Sequence, residues 1–223
     1  MKFLLGEINW DKVEVFSAPI ALGLMFLGVV LIFSFGDKTR FTTKETAFAA
    51  VSLALSYALS FIKIFSMPQG GSLTPASILP LLIFAYYFGW KKGIIVGLIY
   101  SFLQLMQSPQ IYHPIQVILD YPLAFTSVFV VGFFKPLGKK GFFTGAVCFG
   151  LIRYLCHVLS GSIFFGAWDN IDSWTFSLLY NSYVLIDLAI TLVIGVLLFS
   201  SKSFTSQMER FVLNSKQNIY TKD

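Results

Sequence analysis

Long apolar runs separated by short polar breaks organise the whole chain. Seven runs stand out: Val15–Phe35, Ala47–Phe65, Pro75–Tyr87, Gly93–Met106, Val117–Phe134, Phe142–Phe164 and Leu179–Phe199. Most approach or exceed the roughly 18–20 residues that a helix needs to cross a bilayer. The third and fourth are short and separated only by "FGWKKG", which predicts spans that are tilted, thin or partly re-entrant. Past Phe199 the pattern turns polar and predicts a short cytoplasmic helix with a frayed end. The pattern divides the chain into an N-terminal segment with one span (1–43), a membrane domain (44–200) and a polar tail (201–223), with no soluble domain or low-complexity linker. The residues before the first run include Glu7, Asp11 and Glu14 beside Lys2 and Lys12. They lack the positive character of a cleavable signal.

Composition sharpens this picture. Residues are 56% hydrophobic and only 12% charged, against about 25% charged in soluble domains, and mean hydropathy is +0.75. The expected fold is therefore all-α, a polytopic helix bundle embedded in the lipid bilayer. The net charge of +5 is spread through short loops rather than gathered on one segment, which excludes nucleic acid as a partner. Lys38, Arg40 and Lys44, then Lys91 and Lys92, then Lys135, Lys139 and Lys140, then Lys202, Arg210 and Lys216 fall on one side when seven spans are counted. The loops "SMPQGGSLTP", "QSPQIYHP" and "GAWDNIDSW" hold no lysine or arginine. A multi-pass protein of the cell membrane follows, with its N-terminus outside and its C-terminus in the cytoplasm. Cys148 and Cys156 are eight apart in one apolar run, without metal-ligand spacing. They read as packing residues, and no metal or cofactor is expected.

The unusual polar residues collect at the outer ends of the spans. In "SPQIYHPIQVILDYP", Pro114 suits the first turn of a helix with His113 just before it. Gln116 and Asp120 share a face, and Asp120 lies roughly 9 Å below the outer surface. A charge at that depth is costly unless it faces a cavity or a partner. Pro122 also removes a backbone donor beside it. On the sixth run Arg153, His157 and Gly161 form one stripe. A lone buried histidine is more often a satisfied core residue, but this one has a glycine opening space above it. Arg153 is the structural partner expected for Asp120 or for Asp187. Asn181 enters the last run between Tyr180 and Tyr183, where an amide can donate and accept at once; an interhelical hydrogen bond is the plainer alternative. In "MPQGGSLTP" the paired Gly70 and Gly71 allow positive φ and close approach, or simply a turn joining two helices. A carboxylate, a histidine, an amide and several rings in one outward pocket suit a small cationic aromatic compound.

The segments "MPQGGSLTPASILPLLIFAYYFGWKKG", "HPIQVILDYPLAF", "HVLSGSIFFG" and "SLLYN" resemble the thiamine-specific S components of energy-coupling factor (ECF) transporters over about residues 44–200. The resemblance implies a six-helix core that captures thiamine from outside, here preceded by one extra N-terminal transmembrane helix. It also implies docking on a transmembrane coupling protein that works with two ATP-binding-cassette ATPases. By position it makes Asp120 the acid facing the vitamin and Tyr121 the aromatic beside it. His157, Gly161 and Asn181 take the family's histidine, glycine and pyrimidine-reading asparagine. Tyr112 or His113 stands near the loop aromatic, and Phe165 or Trp168 near the aromatic lid. Phe176 departs from the family's usual tyrosine. Small residues at four-residue spacing, Ala50, Ala54 and Ala58, offer a ridge for close helix contact with the coupling protein. The alternatives are an S component for another vitamin or a thiamine precursor and, in a different class, an intramembrane enzyme. Ser160 lies near His157, but no nucleophile turn, HExxH or Walker motif is present. No catalytic residue is expected, and ATP hydrolysis falls to partner subunits.

Overall fold

The computed structural model describes residues 40–68, 70–166 and 171–220, with side-chain packing described as far as Ser215. The first predicted span, Val15–Phe35, lies outside those residues. Helix α1 (Thr43–Ser60) opens with a capping box in which the Thr42 hydroxyl accepts from the Glu45 N–H and the Glu45 carboxylate accepts from the Thr42 N–H. It buries Ala49, Ser52, Ser56 and Ser60, and leaves Ala50, Ala54 and Ala58 exposed on the other face with Val51 and Leu55.

Helix α1 ends five residues short of the predicted boundary at Phe65. The chain instead forms a small antiparallel hairpin, β1 (Phe65–Ser66) with β2 (Ser72–Leu73), pairing Phe65 with Leu73 and Ser66 with Ser72. Gly70 and Gly71, at φ +86° and +85°, turn it. The early stop moves Lys63 out of a helix and into this connection.

From Thr74 to Ile78 the backbone is irregular, yet Thr74, Ala76, Ser77 and Ile78 are buried. Helix α2 (Leu79–Phe88) starts four residues later than the pattern predicts and has only 10 residues. That is about 15 Å of helix, half of a hydrocarbon layer about 30 Å thick. Irregular backbone at such depth is tolerated only where protein or a cavity surrounds it. The third predicted span is thus a half-span entered through a buried connection. Helix α3 (Trp90–Gln107) follows directly and, with 18 residues, is longer than the pattern suggests.

Residues 114–137 form one helical course of changing pitch: α4 (Pro114–Ile118), a π-helical turn (Leu119–Leu123), α5 (Ala124–Thr126) and a 3₁₀ stretch (Ser127–Leu137). The π turn holds Pro122, whose missing N–H interrupts regular α-helical bonding. Helix α6 (Gly138–Phe164) runs back for 27 residues. The last predicted span is broken into α7 (Ser173–Tyr180) and α8 (Tyr183–Ser200), with Asn181 and Ser182 at the break. Among the described residues, the stretches Pro114–Phe164 and Ser173–Ser200 are long and apolar enough to cross a membrane.

The tail forms the expected helix, longer than the pattern suggests and packed on the bundle; the end expected to fray, past Tyr220, lies outside the described residues. Helix α9 (Lys202–Tyr220) buries Thr205, Met208, Val212 and Ser215 against the bundle. The Phe211 ring meets Phe48 and Phe88 at 5.4 and 6.3 Å. Apolar positions at three- and four-residue spacing give α9 this inward stripe. At the same end, the Lys135 ammonium donates to the Tyr87 carbonyl at 2.5 Å and Lys139 to the Phe199 carbonyl at 2.8 Å. These lysines satisfy carbonyls at the C-terminal ends of α2 and α8. An aromatic cluster of Tyr86, Phe142 and Phe199 lies directly above. The opposite end of the bundle is where the chain leaves room.

Candidate functional site

Burying a carboxylate is costly unless donors surround it, and Asp120 has them. Its Oδ1 lies 2.9 Å from His157 Nδ1, while its Oδ2 accepts from Ser160 Oγ at 2.7 Å and from Gln116 Nε2 at 2.6 Å. Gln116 comes from α4 one turn before Asp120, as the helical register predicts. His157 and Ser160 come from α6, so the π turn aims the carboxylate across the bundle at the predicted stripe. The Asp120 side chain is 17% exposed, and it is the one carboxylate among the described residues that lines the cavity beside it.

That cavity measures about 270 Å³, near the lower edge of the roughly 300–1,000 Å³ typical of small-molecule sites. It lies between the ends of α1, α3, α6 and α7, the π turn with α5, the start of α8 and the connection before α2, away from the lysine-capped floor. Gly71, Tyr121, Phe165, Gly161, His157 and Asn181 all line it. Tyr112 and His113 do not. Tyr112 is exposed at the rim, its ring edge-on to Phe165 at 5.0 Å, and His113 stacks on Phe164 at 4.9 Å. Trp168 lies outside the described residues.

Several polar groups of the wall are committed to the protein. Arg153 pairs with Asp187, Nη1 to Oδ2 at 3.0 Å, not with Asp120. The other oxygen of Asp187 accepts from the Thr74 N–H and hydroxyl at 3.2 and 2.9 Å. This ion pair ties α6 to α8 and to the buried connection, which makes Asp187 structural. The Tyr121 hydroxyl donates to the Ser108 carbonyl at 2.7 Å and accepts from the Gln110 N–H at 3.0 Å. The Asn181 amide nitrogen donates to the His157 and Ser177 carbonyls at 3.2 and 2.9 Å. Asn181 therefore does not donate and accept toward the cavity at once: its N–H groups go to α6 at the His157 carbonyl and to the end of α7 at Ser177, the interhelical bond that is the plainer alternative, and Oδ1 alone remains for an external donor.

Other groups are open. His157 donates through Nδ1 to the carboxylate, and its buried Nε2 has no protein partner. Buried polar atoms without a partner are exceptions in folded proteins. Two of the predicted glycines are placed by contact: a Cβ at Gly71 would overlap the Tyr183 hydroxyl, and one at Gly161 the Ser177 hydroxyl. Outside the spanning segments, burial pushes His113 below the ordinary imidazole value, consistent with its Nδ1 accepting the Ile115 N–H at 3.2 Å as a helix cap.

Ser160, which the sequence offers only as a possible nucleophile, lines the cavity together with Lys63, Gln104, Gln107 and Ser177, which the sequence does not single out. Ser160 sits three residues after His157 on the same helical face, a spacing that signals its position. Gln104 and Gln107 are polar residues three apart at the end of an apolar run, an equally readable sign. Lys63 was concealed inside an apolar segment that does not stay helical.

A helical bundle with a floor sealed by lysines and aromatic rings, and a charged hollow at its other end, belongs to the class of polytopic membrane proteins that receive a small solute. Comparison with known proteins makes the class specific. The sequence model of the family described as "Thiamine transporter protein (Thia_YuaJ)" matches residues 46–207. The chain is 32% identical to the thiamine transporter ThiT of Bacillus subtilis (strain 168) over 150 residues, covering 60% of this chain and 78% of that protein. It is 28% identical to ThiT of Lacticaseibacillus paracasei over 171 residues, covering 69% and 85%. A solved structure of ThiT from Listeria monocytogenes superposes with a TM-score of 0.61 at 23% identity, covering 71% of this chain and 94% of that one, which shows the shared fold. The chain belongs to the thiamine transporter family.

Proposed function

We propose that this protein is the thiamine-capturing S component of an ECF importer. It binds the vitamin at the Asp120 cavity from outside and releases it inward once docked on a transmembrane coupling protein driven by two ATPases. The observation that carries the reading is Asp120: a largely buried carboxylate, held by three neutral or titratable donors and by no arginine or lysine, at the wall of a ring-lined hollow. Such a group is stabilised further by a cation that shares its charge, and the thiazolium of thiamine is permanently cationic and aromatic. Family membership supports the same ligand.

The residues take the following roles. Asp120 is the counter-ion, and the orphaned His157 Nε2 is the second polar contact. The open Asn181 Oδ1 accepts from the aminopyrimidine, while Tyr121 and Phe165 supply ring faces. Gly161 lets Ser177 and Asn181 of the α7 end pack close beside His157 at the cavity wall, and Gly71 lets the hairpin lie against Tyr183. Tyr112 acts from the rim by supporting Phe165, and His113 holds the start of α4. Trp168 keeps its place as the alternative lid. Ala50, Ala54 and Ala58, exposed on α1, form the ridge that meets the coupling protein. The N-terminus lies outside and the tail in the cytoplasm, in keeping with lysines gathered at the sealed end.

Calorimetric titration of the purified protein tests the ligand. Thiamine should bind at one site, and the uncharged aminopyrimidine fragment alone should bind far more weakly. Equal affinity for both, or no heat with thiamine, contradicts the reading.

A further inference from the structure

We propose that Gln116 is a positioning residue that couples occupancy of the Asp120 site to the order of the connection over residues 108–112. This deepens the reading above and rests on it. Gln116 is fully buried, at 0% exposure, and its amide is used completely. Its two N–H groups donate to Asp120 Oδ2 at 2.6 Å and to the Gln110 carbonyl at 3.1 Å; its Oε1 accepts from the Tyr112 N–H at 3.1 Å. A single planar group therefore joins the ligand's counter-ion to two backbone groups of the connection between α3 and α4.

The neighbouring contacts give this link a consequence. Tyr121, next to Asp120, bonds the same connection at Ser108 and Gln110 through its hydroxyl. Tyr112 carries the ring that meets Phe165 on the far wall of the cavity. A cation that fixes the carboxylate fixes the amide bonded to it, and with it the backbone that carries Tyr112. By reciprocity, ordering the connection raises affinity by the same factor. Tyr121 holds the connection without touching the Asp120 carboxylate, so the two side chains separate simple bracing from coupling.

Amide hydrogen exchange on the full-length protein in nanodiscs, with and without thiamine, tests this. In the wild type, thiamine should slow exchange at residues 110–112. In Gln116→Leu, thiamine affinity should fall about tenfold to a hundredfold, the scale of one charge-assisted hydrogen bond, mostly through faster release. The slowing at 110–112 should vanish, while thiamine still slows exchange around His157 and Asn181. Tyr121→Phe should speed exchange at Gln110 in the free protein yet keep the thiamine-dependent slowing at Tyr112; this variant also decides the matter if Gln116→Leu does not fold. Thiamine binding without any response at 110–112 in the wild type, or an unchanged response in Gln116→Leu, overturns the coupling alone. A wild type that does not bind thiamine overturns the ligand assignment and the coupling with it.

Discussion

Replacing Asp120 with asparagine removes one charge while keeping the shape of the side chain, so it isolates the electrostatic term. Two unit charges about 4 Å apart interact by about 4 kcal/mol at the effective dielectric of about 20 that describes protein sites. The Asp120 side chain is 17% exposed, and solvent screening reduces this to about 3 kcal/mol. Asparagine also brings an N–H pair to a place ringed by donors: Gln116 Nε2, His157 Nδ1 and Ser160 Oγ all approach the carboxylate within 2.9 Å. The Ser160 hydroxyl can turn to accept, but Gln116 cannot without surrendering its hold on the connection. Asp120→Asn should therefore weaken thiamine binding about a hundredfold to a thousandfold. The uncharged aminopyrimidine fragment should lose less than about tenfold. Titration calorimetry of both ligands against both proteins gives the two ratios directly, and the difference should survive high salt because a desolvated pair is poorly screened. A loss below tenfold for thiamine, or the same loss for the neutral fragment, would refute the assignment of Asp120 as counter-ion.

Other outcomes follow from the same geometry. Arg153→Met should lower thermal stability in detergent by about 3–5 kcal/mol, because it strands Asp187 as an uncompensated buried charge; a melting temperature equal to the wild type would show that the pair does not brace α6 against α8. Ala54→Trp, on the exposed face of α1, should abolish co-purification with the coupling protein and leave thiamine affinity unchanged, and intact co-purification removes the docking ridge. His113 is held below its ordinary value of 6.5 by burial, so its neutral form is the folded one. The stability it contributes is present above pH 6.5 and is lost as pH falls through its lower folded value. Exchange of the Ile115 amide should accelerate on acidification through that range and lose this dependence in His113→Asn, which caps without titrating; a pH-independent amide in the wild type would contradict the cap.

Much of this architecture is legible in the chain because lipid imposes strong periodic demands. The Gln116–Asp120 spacing and the stripe of Arg153, His157 and Gly161 follow from helical geometry, and the structure brings both sets to one place. Elsewhere local backbone chemistry overrides hydropathy. Residues 61–65 are apolar enough to continue a helix, yet the paired glycines allow a hairpin that takes Phe65 into a strand and Lys63 into the cavity wall. The connection before α2 is buried without being helical because Thr74 bonds to Asp187, 113 positions away, a contact that no local pattern announces. The choice between Asp120 and Asp187 as the partner of Arg153 had the same origin: both lie within helical reach, and only the π turn at Pro122 decides which way Asp120 faces. For Asn181 the interhelical alternative holds for the N–H groups, which bond the His157 carbonyl on α6 and the Ser177 carbonyl before the helix break, a break that leaves no mark in an apolar run.

The central claim is that the Asp120 cavity holds a cationic vitamin. Mass spectrometry of the small molecule that travels with the protein through purification in mild detergent, from cells grown with thiamine, tests it most directly. One equivalent of thiamine should accompany the wild-type chain and be absent from Asp120→Asn. A different molecule in the wild type, or thiamine retained equally by both proteins, would contradict it.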